Sequence, residues 1–199
     1  MSTPASRAST LARTTGETAI TLELTLDGQG NHAIDTGVPF LDHMLRLLTV
    51  HGFFDLKLSC VGDTPIDDHH SVEDIGICLG SAFKQALGNF ASITRYGNFA
   101  IPMDETLARV SLDFSNRPFL HYDVVTLDQK TGTFDTTLTE EFLRAFAFNA
   151  GMTLHVEVKY GQNTHHIIEA IFKALGRTLD QATQIDPRVK GTLSSKGSL

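Results

Sequence analysis

The chain has 199 residues, 41% hydrophobic and 20% charged, enough for one sizeable core or two small ones. A net charge of −7 gives no electrostatic support to nucleic-acid binding, and no run of about 18 apolar residues offers a membrane span. The small, polar N-terminus lacks the apolar stretch of a secretory signal, and the isolated Cys60 and Cys78 form no CxxC pair, so a reducing cytoplasm is the expected compartment.

In chain order, residues 1–12 are expected to be a disordered tail. "AITLELTLD", apolar at 20, 22, 24 and 26, predicts a half-buried strand. "PFLDHMLRLLTVHG" predicts a helix with Pro39 at its start and its end at Gly52. "FFDLKLSCV" alternates again. "SVEDIGICLGSAFKQALG" predicts a second helix, with Ser71 and Asp74 spaced like a capping box. "LARVSLDF", "FLHYDVVT" and "MTLHVEVKY" predict further strands. "TLTEEFLRAFAFNAG" predicts a helix with Thr137 and Glu140 as a cap pair and Gly151 as its stop. "HHIIEAIFKALGRTLDQAT" predicts the last helix. The closing "DPRVKGTLSSKGSL" has no periodicity and predicts a loop that carries Lys190 and Lys196.

The chain repeats itself. His69-His70-x-x-Glu73 falls on His165-His166-x-x-Glu169 at a shift of 96, and the register continues through Leu79 on Leu175 and Gly80 on Gly176. Glu17-Thr18 falls on Glu105-Thr106 at a shift of 88, and Leu45-Arg46 on Leu143-Arg144 at 98. The expected halves are 13–92 and 93–186, followed by a C-terminal loop over 187–199. Strands facing helices in both halves predict an α+β fold, each half a mixed sheet with helices packed on one face.

The doubled His-His-x-x-Glu carries the chemistry. His69 and Glu73 are four residues apart, as are His165 and Glu169, so each pair shares one helix face and can chelate one ion. His70 and His166 project about 100° round the helix and more naturally reach a neighbouring ion. A single such motif has an ordinary surface explanation; two at matching repeat positions point to two metal sites that share donors from both halves. Neutral imidazole with carboxylate suits Mn, Fe, Zn, Co or Ni. The order is not that of HExxH zincins, so protease chemistry is not implied. Asp67, Asp68 and Asp74 are either solvated or orient the imidazoles.

"DTGVPFLDHML", "HGFFDL", "DDHHSVED", "RYG", "SNRPFL", "GMTLHV", "NTHHIIEAIFKA" and "SSKG" together closely resemble the imidazoleglycerol-phosphate dehydratase family, from about Arg13 to Lys196. The resemblance implies dehydration of D-erythro-imidazole-glycerol phosphate to imidazole-acetol phosphate in L-histidine biosynthesis. It implies Mn(II), two ions per active site, with the substrate bound as imidazolate between them. It also implies a hollow 24-mer whose active sites are shared between subunits. The implied metal donors are His43, His69, His70, Glu73, His165, His166 and Glu169. One position departs from the family: Glu141 stands where many members have histidine, and at the shift of 98 it falls opposite His43. Glu141 either ligates as a harder donor, favouring Mn, or leaves the place to water.

That reaction takes a proton from one carbon and a hydroxyl from its neighbour. The carbon acid is too weak for a free carboxylate alone. A ring held as imidazolate can expel the hydroxyl through a diazafulvene-like intermediate while the metals stabilise the charge shift. The resemblance assigns the general base to Glu17, with Glu105 as its repeat partner and competitor. It assigns substrate contacts to His43, His51, His69, Glu73 and His165, and the phosphate to Arg95, Arg117, Lys173, Ser194, Ser195 and Lys196. The C-terminal loop thereby contributes to the active site. Two rival readings are another metal-dependent enzyme on the same scaffold, such as a hydrolase, and a non-catalytic metal-binding shell protein.

Overall fold

The computed structural model describes residues 7–199. Alternation builds the first sheet. Strand β2 (Thr18–Thr25) buries Ile20, Leu22 and Leu24 while Thr21 and Glu23 face water. It pairs antiparallel with β1 (Ala8–Thr14) and with β4 (Asp55–Gly62), and β4 pairs in parallel with β3 (His32–Asp35). The second sheet has β5 (Tyr96–Met103), β6 (Thr106–Asp113), β7 (Phe119–Val124) and β10 (Thr153–Val158). Its order, β5-β6-β10-β7, copies β1-β2-β4-β3 strand for strand, down to the one parallel pair at the edge. The sequence repeat is therefore a repeat of topology. A short ribbon, β8 (Lys130–Thr131) with β9 (Phe134–Asp135), has no counterpart in the first half.

Four helices cover the inner faces of the sheets: α1 (Pro39–Gly52), α2 (His69–Leu87), α3 (Leu138–Ala150) and α4 (Thr164–Thr183). Helix α2 lies on β1 and β2, and α4 lies on β5 and β6, as an α+β fold with one covered face per sheet requires. The halves nevertheless do not stand alone. Helix α2 packs on α3, and α1 packs on α4, so each helix pair joins one half to the other. Phe54, Phe83, Phe146, Phe142 and Phe172 form a chain of ring contacts with centroids 5.0, 5.4, 6.0 and 5.4 Å apart that runs from the first half into the second. No helix among the described residues is long and apolar enough to cross a membrane.

Several expectations need correction. Residues 1–6 of the expected tail lie outside the described residues, and Ala8–Thr14 is strand. Its inner face carries Ser9, Leu11 and Arg13, so its only large apolar side chain is Leu11 and the period is hidden; Ser9 Oγ donates to Ala82 O and Arg13 pairs with Asp74 on α2. Strands β3 and β5 also lack a plain apolar alternation. Ser71 is not a cap: α2 starts at His69, and Ser71 is buried in its first turn with an unpartnered Oγ. Thr137 makes no cap bond either, because its hydroxyl donates to Asp135. The expected stop at Gly151 is present, with φ +70.

The helix crossings depend on the glycines that the repeat aligns. A Cβ on Gly80 would lie 2.5 Å from Phe146 O, and one on Gly176 would lie 2.6 Å from Leu48 O. Both neighbours are backbone, so neither can swing aside. Alanine at a helical glycine normally gains about 1 kcal/mol of helix propensity. Here Gly80→Ala or Gly176→Ala is expected to lose about 1–3 kcal/mol net, because the helices must separate. Denaturant midpoints of the metal-stripped variants check this, and a gain in stability would show that the crossings can relax.

Candidate metal centre and active site

Helix α4 begins where Asn163 Oδ1 accepts the backbone N–H groups of His165 and His166 at 2.9 and 3.3 Å. That start places His165 and Glu169 on one face, with His165 Nε2 3.1 Å from Glu169 Oε2. His43, carried in by α1 from the other half, brings its Nε2 to the same oxygen, also at 3.1 Å. The three side chains offer donor atoms that all lie within 4.8 Å of one another. Lys173 Nζ holds the other oxygen, Oε1, at 2.6 Å. Burial pushes the Glu169 carboxyl up, but Lys173, His43 and His165 outweigh it and hold the group at about 2. Two imidazoles and an ionised carboxylate form a donor set that fits a divalent ion.

The matching set on α2 is incomplete. His69 Nε2 lies 3.6 Å from Glu73 Oε2, again one turn apart on one face. Its third member by repeat position would be Glu141 on α3. Glu141 makes no ion pair or side-chain hydrogen bond among the described residues, and it does not join His69 and Glu73 in a three-donor cluster.

The adjacent histidines point elsewhere, as the 100° offset requires. His70 Nδ1 lies 3.0 Å from Asp63 Oδ2 and its Nε2 lies 3.6 Å from Glu17 Oε1. His166 Nδ1 lies 2.9 Å from Glu105 Oε2 and 3.9 Å from Asp104 Oδ2. Each carboxylate partner raises its imidazole above the ordinary value. The sequence left Asp67, Asp68 and Asp74 as either solvated or orienting the imidazoles. Asp63 and Glu105 perform the orienting, while Asp67 accepts His69 N–H at 2.9 Å and Asp74 is bound by Arg13 and Thr18. Asp63 stands before the turn that leads to α2, so only the course of that turn reveals it.

The repeat partners Glu17 and Glu105 differ in what they hold. Glu105 accepts the backbone N–H groups of Gln162 and Asn163 at 3.0 and 2.8 Å, besides its contact with His166. Those donors, His166 first, hold its carboxyl far below the usual range. It is a structural anchor for the start of α4. Glu17 is fixed only through its backbone, by Thr15 Oγ1 at 3.1 Å and by Asp63 N–H at 3.1 Å. Its carboxylate is 54% exposed and, among the described residues, has only the long contact to His70.

The cations form a separate site. Arg95, Arg117, Ser194, Ser195 and Lys196 line one cavity of about 920 Å³, together with Lys190. Among the described residues Arg117, Lys190 and Lys196 have no carboxylate partner. Lys173 is not there, since it is bound to Glu169. His51 is not there either. It ends α1, where burial, then Lys173 and Arg177, push its imidazole down toward the neutral form.

A family model for imidazoleglycerol-phosphate dehydratase matches residues 36–179. An imidazoleglycerol-phosphate dehydratase of Syntrophobacter fumaroxidans is 59% identical over 97% of this chain and 98% of its own length. That of Geobacillus thermodenitrificans is 58% identical over 97% and 99%. The crystal structure of the Staphylococcus aureus enzyme superposes with a TM-score of 0.82 at 43% identity, covering 90% of this chain and 99% of the other. The chain belongs to the imidazoleglycerol-phosphate dehydratase family.

As a member of that family it is a hydro-lyase of histidine biosynthesis. Within the dehydratase subunit, the structure brings His43, His165 and Glu169 together, pairs His69 with Glu73, and sets His70 beside Glu17. It gathers Arg95, Arg117, Ser194, Ser195 and Lys196, and leaves Glu141, Lys173 and His51 outside that group. Lys190 was missed as a cavity residue because the tail has no periodicity to orient it.

The His166–Glu105 pair has a pH signature. A raised histidine value means that the pair stabilises the metal-free protein below pH 6.5, and that this is lost as pH rises through the raised value. Proton titration of His166 by NMR in metal-free protein should therefore show a value above 6.5, returning toward it in Glu105→Gln. Glu105→Gln should also lower the thermal midpoint, and Glu17→Gln should not. Equal midpoints for the two variants would remove the structural role given to Glu105.

Proposed function

We propose that the chain dehydrates D-erythro-imidazole-glycerol phosphate to imidazole-acetol phosphate in a metal-dependent reaction. The observation that carries the metal dependence is the convergence of His43, His165 and Glu169 from both halves. Those three would hold one ion, and His69, His70, Glu73 and His166 supply donors for a second. Two divalent ions, Mn(II) in this reading, would supply the Lewis acidity that lets an imidazole ring carry negative charge while the neighbouring hydroxyl leaves.

The remaining steps fall to protein side chains. Glu17 takes the carbon-bound proton: it is an ionisable group at the edge of the His70 site that no backbone donor engages, so its oxygens are free to accept. Arg117 and Lys196, with the hydroxyls of Ser194 and Ser195, hold the phosphate. His51, kept toward the neutral form, offers the substrate a donor that carries no charge.

Geometry supports an active site shared between chains. Helix α4 carries His165 and Glu169 in its first turns, whereas Arg95 N–H bonds to Ala182 O in its last turn. At 1.5 Å per residue that point is about 25 Å along the helix from His165 and about 20 Å from Glu169. In this reading a substrate of a few carbons does not bridge that distance within one subunit, and the phosphate cavity of one copy serves the metal donors of another. A shared site needs at least two copies, and the large homo-oligomer, a 24-mer, is what the family resemblance implies.

The test is turnover of imidazole-glycerol phosphate by chelator-stripped protein with and without Mn(II), with particle mass read by light scattering. Metal should restore dehydration and produce the large particle together. Glu17→Gln should keep metal content and mass and lose about 10²–10⁴-fold in kcat. His70→Ala or His166→Ala should lower metal stoichiometry and mass together. Metal binding and assembly without turnover would leave only the shell protein standing.

A further inference from the structure

Arg95 is unusual in three respects. It is 7% exposed, it holds φ +73 in the left-handed region that non-glycine residues avoid, and its guanidinium lies under the C-terminal tail. Its backbone is fixed on both sides: Arg95 N–H donates to Ala182 O at 2.8 Å, and Arg95 O accepts from Phe114 N–H at 3.1 Å. Its side chain forks onto Asp113 at the end of β6, Nε to Oδ1 at 2.6 Å and Nη2 to Oδ2 at 2.9 Å. Its Nη1 donates to Leu193 O at 2.6 Å. The guanidinium also covers the Tyr96 ring at 4.8 Å.

The bond to Leu193 is the last hydrogen bond that ties the tail to the rest of the described chain. Upstream, Thr192 bridges to Ala91 and Ser92 N–H donates to Gly191 O at 2.8 Å. Downstream, Ser194, Lys196 and Gly197 bond only within their own turn, and the Leu199 side chain alone returns to the core. Arg95 thus supplies the hydrogen bond nearest to the Ser194–Lys196 turn from outside the tail, between the Ala91–Thr192 bridge upstream and the Leu199 side chain downstream, and its guanidinium is held by Asp113.

From this geometry we infer that Asp113 is a positioning residue for the phosphate site, acting through Arg95 on the C-terminal tail. The inference rests on the phosphate reading of the cavity and deepens it by dividing its cations into two roles. The Arg95–Asp113 pair is neutral overall and sets the position of the turn. Arg117 and Lys196, which have no carboxylate partner, supply the attraction for the anion. An acidic residue beside an anion site is tolerated because both of its oxygens face the guanidinium.

Two variants test this in the Mn(II)-loaded assembly, with substrate and with inorganic phosphate as competing anion. Asp113→Asn weakens the fork, and Arg95→Lys keeps the charge but cannot form it. Both should raise KM for the substrate and the inhibition constant of phosphate by about tenfold, with a much smaller change in kcat. Both should speed amide exchange in the 193–197 turn, and Asp113→Glu should recover part of the affinity. Arg95→Lys keeps the test decisive even where Asp113→Asn fails to assemble. Wild-type KM, phosphate inhibition and turn exchange in Arg95→Lys, alongside a raised KM in Lys196→Ala, would overturn the positioning role. An unchanged KM in both Lys196→Ala and Arg117→Ala would instead reject the phosphate reading on which the inference rests.

Discussion

The site depends on α1 packing against α4. In a duplicated protein each half could have folded its two helices onto its own sheet and stopped there. Here the glycines at 52 and 176 let the backbones of α1 and α4 approach so closely that a Cβ on Gly176 would meet Leu48 O at 2.6 Å. That contact carries His43 from the first half over the opening turns of α4, where His165 and Glu169 wait. A buried carboxylate facing two imidazoles and a lysine is unfavourable unless its charge is matched. The same packing that creates the cluster therefore also supplies the groups that keep Glu169 ionised.

Duplication gives two copies of every device, and the copies have diverged in opposite directions. At the α4 end the third donor is present as His43, and the acidic repeat partner Glu105 is consumed by backbone donors and His166. At the α2 end the third position holds Glu141, which stands apart, and the acidic partner Glu17 remains free. In place of Glu105's anchoring work, Asp63 orients His70. Donors that stabilise the charged carboxylate make Glu105 a weaker base. Freeing Glu17 required a second acid to take over the histidine, and Asp63 is that acid.

The sequence showed the histidine motifs, the repeat and the helix limits because these depend on spacing within one element. His69 and Glu73, four apart, lie together whatever the rest of the chain does. The alternation of Ile20, Leu22 and Leu24 is equally local. By contrast β1 is held by Ser9, Leu11 and Arg13, two of which are polar and satisfied only by α2, so its period carries no apolar signal. Ser71 resembled a cap because spacing alone cannot tell whether a helix starts two residues earlier. The resemblance assigns Lys173 to the phosphate, and within the subunit it pairs with Glu169, a partner recognisable only once the helix is wound. Asp63 and Asp113 were missed for the same reason: each acts through a residue distant in sequence.

The separation of charge within the subunit completes the argument. The chain carries −7 overall, yet it must hold a phosphorylated substrate. It does so by keeping its unpaired cations under a tail at one end of α4 and its carboxylate-rich donor sets at the starts of α2 and α4. Within the subunit the free cations Arg117 and Lys196 stand in the cavity under that tail, while Glu169 at the start of α4 is matched by its own Lys173. A net acidic protein can thereby present a local field that attracts an anion.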